Sequence, residues 1–136
     1  MSGRAGLAAL AALALGGAAD ADELPRCPLL PPVEEIEVAK LPPILIAALT
    51  RDVGQIALPG KPFDADGTTT TGVSHRLLWV RKQGTRWVVA VEEGGREARE
   101  LVVSYEIGYD GSLAGMRKDV AFPATVCQLT ERELWR

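Results

Sequence analysis

The chain has 136 residues, of which 47% are apolar and 24% charged, with a formal net charge of −3. Those values describe one domain of ordinary size and exclude a collagen-like chain, an intrinsically disordered chain and a multi-span membrane protein. No excess of Lys and Arg is present to neutralise phosphates, so a nucleic-acid partner is not expected.

Residues 1–21 read as a signal peptide. Arg4 precedes an apolar run from Leu7 to Leu15, small residues follow, and Ala19-Asp20-Ala21 has the small-x-small form that places cleavage after Ala21. The run falls short of the roughly 20 apolar residues that a membrane span needs. The expected location is therefore the periplasm or the exterior, and the protein is not expected to span a membrane. In that oxidising setting the two cysteines, Cys27 and Cys127, read as one disulfide closing a long loop. The expected organisation is a signal peptide over 1–21, a Pro-rich extended arm over 22–42 and a single globular β-rich domain over 43–136. Eight of the nine prolines fall between Pro25 and Pro62, and every aromatic residue lies at or beyond Phe63.

Within the arm, Cys27 to Pro32 should run extended, because proline removes the backbone donor a helix requires. Glu34, Glu35 and Glu37 form an acidic stretch expected to be solvated. A helix is predicted from Pro43 to about Arg51, opened by proline in its first turn and ended near Gly54. A buried strand is the alternative for so short an apolar run. Period-two patterning then predicts strands over Arg76–Lys82 and Arg86–Glu92, joined through Gln83-Gly84-Thr85. A third runs from Leu101 to Tyr109, with Leu101, Val103, Tyr105, Ile107 and Tyr109 on one face and Ser104, Glu106 and Gly108 on the other. Asp110-Gly111 signals a type I′ hairpin into a strand from about Leu113 to Phe122, which Pro123 ends. Gln128 to Trp135 has helical composition, and Thr130 with Glu133 matches a capping box. The expected fold is α+β: a small antiparallel β-meander of about four to five strands with one short N-terminal helix packed on it. An all-β sandwich or barrel is the alternative.

The candidate sites are few. His75, the one histidine, follows Ser74 directly; such neighbours are not a triad, whose members meet through the fold. Ser74, Ser104 and Ser112 lie outside any G-x-S-x-G elbow. Asp64-Ala65-Asp66-Gly67 hints at a calcium loop, but the later ligands of that pattern do not follow, and a turn before a Thr-rich edge strand explains it better. Arg81, Lys82 and Arg86 gather about the first hairpin turn as a candidate basic contact. Glu92 to Glu100 is a mixed-sign connection that keeps a loop solvated. Trp79, Trp87, Tyr105 and Tyr109 make a candidate aromatic binding face, since Trp and Tyr are enriched where proteins bind; the same residues supply bulk in small cores. No catalytic residue, metal site or cofactor is assigned.

Gly84-Thr-Arg-Trp87-Val-Val-Ala-Val-Glu-Glu-Gly-Gly95, together with Val126-Cys127 after a proline-containing strand end, resembles small uncharacterised exported proteins of Gram-negative bacteria. The resemblance covers about residues 55–130 and implies a periplasmic location, without an activity or site residues. The expected function is that of a non-enzymatic exported domain binding a protein or an envelope component. An accessory or inhibitor subunit of an exported enzyme, using loops 64–74 or 92–100, is the alternative, and a hydrolase is third.

Overall fold

Unbroken apolar runs over Leu77–Val80, Trp87–Val91 and Leu101–Val103 build the centre of the molecule, seen here in a computed structural model that describes residues 27–29, 32–66, 73–97, 99–121 and 125–136. The expectations for the leader, the threonine run, Gly67, Phe122 and Pro123 lie outside the described residues. Four long strands form an antiparallel meander: β3 (His75–Gln83), β4 (Arg86–Glu93), β5 (Arg99–Ile107) and β6 (Leu113–Ala121). Two short strands join the other side of β3. These are β1 (Glu34–Glu35), antiparallel to it, and β2 (Ile56–Ala57), parallel to it. The sheet is thus six-stranded, with the order β1-β3-β4-β5-β6 and β2 beside β3. This exceeds the four to five strands expected, because Ile56 and Ala57 add a strand and because Glu34 and Glu35 are not merely a solvated acidic stretch. They sit in register opposite Lys82 and Arg81.

Helix α1 (Pro43–Asp52) begins with proline in its first turn and stops where Gly54 takes a φ of +103°. Its buried residues are Leu45, Ala48 and Leu49, while Ile46 faces outward. It covers the face of the sheet formed by residues such as Leu77, Val89, Leu101 and Val103. A second helix, α2 (Val126–Leu134), expected over Gln128–Trp135 without a place in the packing, closes the opposite face against Leu78, Trp79, Val88 and Val102. The fold is accordingly helix–sheet–helix, not a sheet with one helix. The second face of β5, expected to carry Ser104 and Glu106, is buried at Val102 and Ser104 beneath α2. Thr130 and Glu133 are not a capping box. The helix starts earlier, at Val126, so Thr130 lies in mid-helix with its hydroxyl donating to the Val126 carbonyl, and Glu133 is fully buried.

Two turns decide which way the strands face. The first hairpin has a two-residue loop, Gly84-Thr85, with Gln83 opposite Arg86 and Gly84 at a φ of +59°, as a II′ turn requires. In the second, the Gly111 amide donates to the Gly108 carbonyl and the Gly108 amide to Ser112. Only Gly111 has a positive φ there, +81°. Asp110 therefore does not occupy the left-handed position that the expected I′ turn demands. Instead its carboxylate accepts from the Ser112 amide and hydroxyl.

The disulfide joins Cys27 to Cys127 across a sequence separation of 100, with a Cα–Cα distance of 5.3 Å. It pins the arm to the first turn of α2. Among the described residues, no helix is long and apolar enough to cross a membrane.

Candidate functional site

The aromatic residues expected to share a face do not. Lys82 opposes Trp87 across the first hairpin, and Trp79 opposes Ala90, so the two tryptophans lie on opposite faces of the sheet. Had the connection been the three residues Gln83-Gly84-Thr85, they would have shared one face, because a one-residue slip exchanges all inward and outward positions. A bulge between Leu77 and Trp79 then restores Leu77 to the α1 side, opposite Val91, and leaves both Leu78 and Trp79 beneath α2. Trp79 is 6% exposed, Trp87 7% and Tyr105 0%. They are core residues. Tyr109 leaves the strand for the second turn, where its side chain is almost wholly exposed. The Tyr105 hydroxyl donates to Asp52 of α1 at 2.9 Å. Burial and the Asp52 carboxylate raise its pKa, whereas the Arg51 hydrogen bond lowers that of Asp52.

The three basic residues at the first hairpin are likewise separated. Arg81 is buried; its two terminal nitrogens donate to the Cys27 and Pro28 carbonyls at 2.8 and 3.1 Å, and its guanidinium lies over Trp79. Burial lowers its pKa, against the opposing effect of Glu35. Arg81 therefore ties the arm down and is not a free contact. Lys82 is on the other face with its ammonium over the Trp87 ring, 5.0 Å from the centroid. Arg86 pairs with Glu106 at 2.7 Å and reaches the Glu133 carbonyl. Hydrogen bonds from Thr85 and then Arg86 hold the Glu106 pKa below its ordinary value.

His75 has both ring nitrogens engaged. Nδ1 is 3.2 Å from the Ser74 hydroxyl, and Nε2 is 3.2 Å from Glu93, which also binds Arg99. A serine, a histidine and a carboxylate in series have the order of an acid–base relay. The register supplies a simpler origin, since His75 and Glu93 are direct cross-strand partners at the open end of the β3–β4 hairpin. Asp64 and Ala65 are stitched to that end by backbone hydrogen bonds: the Asp64 amide to Val73, and the Gly95 amide to Ala65. Gly94 makes the approach feasible, because a Cβ there would collide with the Asp64 carbonyl.

On the α2 face, Arg76, Glu92 and Glu100 oppose one another across β3, β4 and β5. Arg76 donates to Glu92 at 2.6 Å and stacks on Phe63. Glu100 is 5% exposed, and its Oε2 has no hydrogen-bond partner. Burial first, and then the charge of Glu92, push its pKa up to about 7. Sequence reading missed Glu100 and Glu133 as buried acids because both stand in runs that look solvated.

Among the described residues, the hollows lie away from the histidine, and the two most enclosed have mainly apolar walls. One, of about 260 Å³, opens beside the disulfide and is lined by Val33, Arg81, Leu134 and Trp135. The other, of about 160 Å³, lies between α1 and β2, with Ile46 and Leu58 at its rim. Neither gathers a set of groups that could perform chemistry.

What remains is the outer edge of β6. No described residue pairs with it, whereas the other side of the sheet carries β1 and β2. The strand is nine residues long, and Ala114 through Lys118 are all exposed. Met116 and Val120 project on the α1 side, 47% and 54% exposed; Arg117 and Asp119 project on the α2 side. The sequence did show the strand, but its position at the end of the sheet depended on knowing the strand order. Compared with family models, curated proteins and solved structures, the chain matches none.

Proposed function

We propose that this chain is an exported, periplasmic domain, freed of its leader near Ala21, that binds a protein or an envelope component without chemistry of its own, and that the contact is made along the edge of β6. The observation that supports this reading is that β6 is a long edge, in unbroken register with β5 from Gly115 to Ala121, with exposed apolar side chains, while both faces of the sheet are covered by helices. An unpaired strand edge offers a row of amide donors and carbonyl acceptors, and an extended segment of another chain can add to it. Side chains then select the partner: two apolar residues on one side of the strand, and a cation and an anion on the other. The aromatic residues contribute by holding the sheet rigid behind this edge.

Proline substitution tests the assignment. Backbone amides alternate along an edge strand between pointing into the ladder and pointing outward. Of Met116→Pro and Arg117→Pro, one removes an inward donor and disrupts the sheet; the other removes an outward donor and leaves the fold intact. Wild-type and variant chains, each with the disulfide formed, are used to capture ligands from a cell-envelope extract. The folded proline variant is expected to lose what the wild type retains. Equal capture by both would show that β6 is not the contact edge.

A further inference from the structure

The register of β6 identifies a specific occupant for its edge. We propose that a second copy of this chain docks there, β6 pairing antiparallel with β6 of the copy about a two-fold axis through Lys118, to make one continuous sheet. The proposal rests on the reading of β6 as the contact edge. In a two-fold antiparallel pair the positions facing each other are equally distant from the axis, and every contact occurs twice. With the axis at Lys118, Met116 faces Val120 of the copy, and Arg117 faces Asp119 of the copy.

Both matches concern side chains already on the correct side of the strand. Met116 and Val120 oppose Tyr105 and Leu101 of β5 and so share the α1 side, whereas Arg117 and Asp119 oppose Ser104 and Val102 on the α2 side. Pairing shields two exposed apolar residues per chain and brings Arg117 of each copy beside Asp119 of the other, joining the ion pairs that Asp119 already makes with Arg117 and Arg132 of its own chain into one network across the seam. Other axes lose this agreement. Centred at Arg117, the pairing puts Met116 against Lys118 and arginine against itself; centred at Asp119, it sets two aspartates together and Val120 against Lys118. The remaining like-charge contact, Lys118 with its own copy, is relieved by the position of its ammonium. That group reaches back 3.4 Å to the Asp52 carbonyl at the C-terminal end of α1, where the helix dipole favours a cation. A single added strand pair makes a small interface, so association on the order of 10 µM is expected.

The test is molar mass against concentration, by sedimentation or light scattering, on the disulfide-bonded chain. The wild type should pass from one copy to two between about 1 and 100 µM, the range set by so small an interface. Val120→Lys adds one cation per chain, beside Lys118 and opposite Met116 of the copy, so that four lysines meet at the seam; it should shift the midpoint at least about tenfold upward, with an unchanged circular dichroism spectrum. Adding Met116→Glu creates a Glu–Lys pair across the seam and should restore dimerisation. Positions 116 and 120 are four residues apart on one strand, roughly 13 Å, so the pair cannot compensate within a chain and rescue reports the register. A wild type that stays single at every concentration, or a double variant that stays single like Val120→Lys, overturns the proposal. If the chain stays single but the folded proline variant still loses a captured envelope ligand, only the second-copy assignment fails and the β6 reading stands.

Discussion

The two faces of the sheet are closed by different means. On the α1 side the contact is almost entirely apolar, Leu45, Ala48 and Leu49 settling on aliphatic strand residues with the Tyr105–Asp52 hydrogen bond as a polar tie. On the α2 side the helix contributes four buried residues against three from α1, but two of them, Thr130 and Glu133, are polar. Around that smaller patch stand buried charges: Arg76, Arg81, Glu100 and Glu133. The Cys27–Cys127 bond closes it. Where half of a helix's buried residues are polar, a covalent link and polar ties such as those from Arg81 to the Cys27 and Pro28 carbonyls take over. The face with fewer buried apolar helix residues is therefore the one reinforced by the cross-link.

The strongest way to break this contrast is to remove the disulfide. Replacing Cys27 and Cys127 by alanine should cost about 4–5 kcal/mol, the loop-closure value for a separation of 100 residues. Hydrogen exchange should show α2 losing protection well before α1. Equal loss over both helices would mean that the two faces are not held differently. A smaller effect, about 3 kcal/mol, is expected for Leu45→Ala, which opens a cavity at a fully buried position on the other side. Denaturant unfolding of the oxidised and reduced protein should show the same increment; a strong dependence on the disulfide would couple the faces.

The last effect is conditional on pH. The Glu100 carboxyl titrates at about 7 when folded against an ordinary 4.5, so the folded state holds this proton more tightly than the unfolded chain. Its contribution to stability is complete below pH 4.5 and fades as pH rises to about 7, with a total change of up to about 3 kcal/mol. Glu100→Gln should abolish that slope and be more stable than the wild type at pH 8, while matching it near pH 4. Thermal melts across that range check the point, and a slope unchanged in the variant would place the titrating group elsewhere.

How far the sequence could be read depended on the range of the interaction. Short apolar runs bounded by turn residues marked the long strands, and α1 was visible from Pro43 and Gly54, because these signals are local. The aromatic face failed on one residue of loop length: counting Gln83 into the first hairpin turn moves Trp79 to the wrong side. The β5 pattern held as far as Ile107, and Tyr109 escaped it because the second turn begins at Gly108.

By itself the sequence determined the meander, the first helix and the two cysteines available for one bond, since turn residues, proline and residue periodicity act within a few positions. Only the tertiary structure decided that α2 would cover the second face, that Arg81, Glu100 and Glu133 would be buried, and that β6 would be left as the free edge. Those outcomes depend on strand order and on contacts between residues far apart in the chain, which local patterning does not encode.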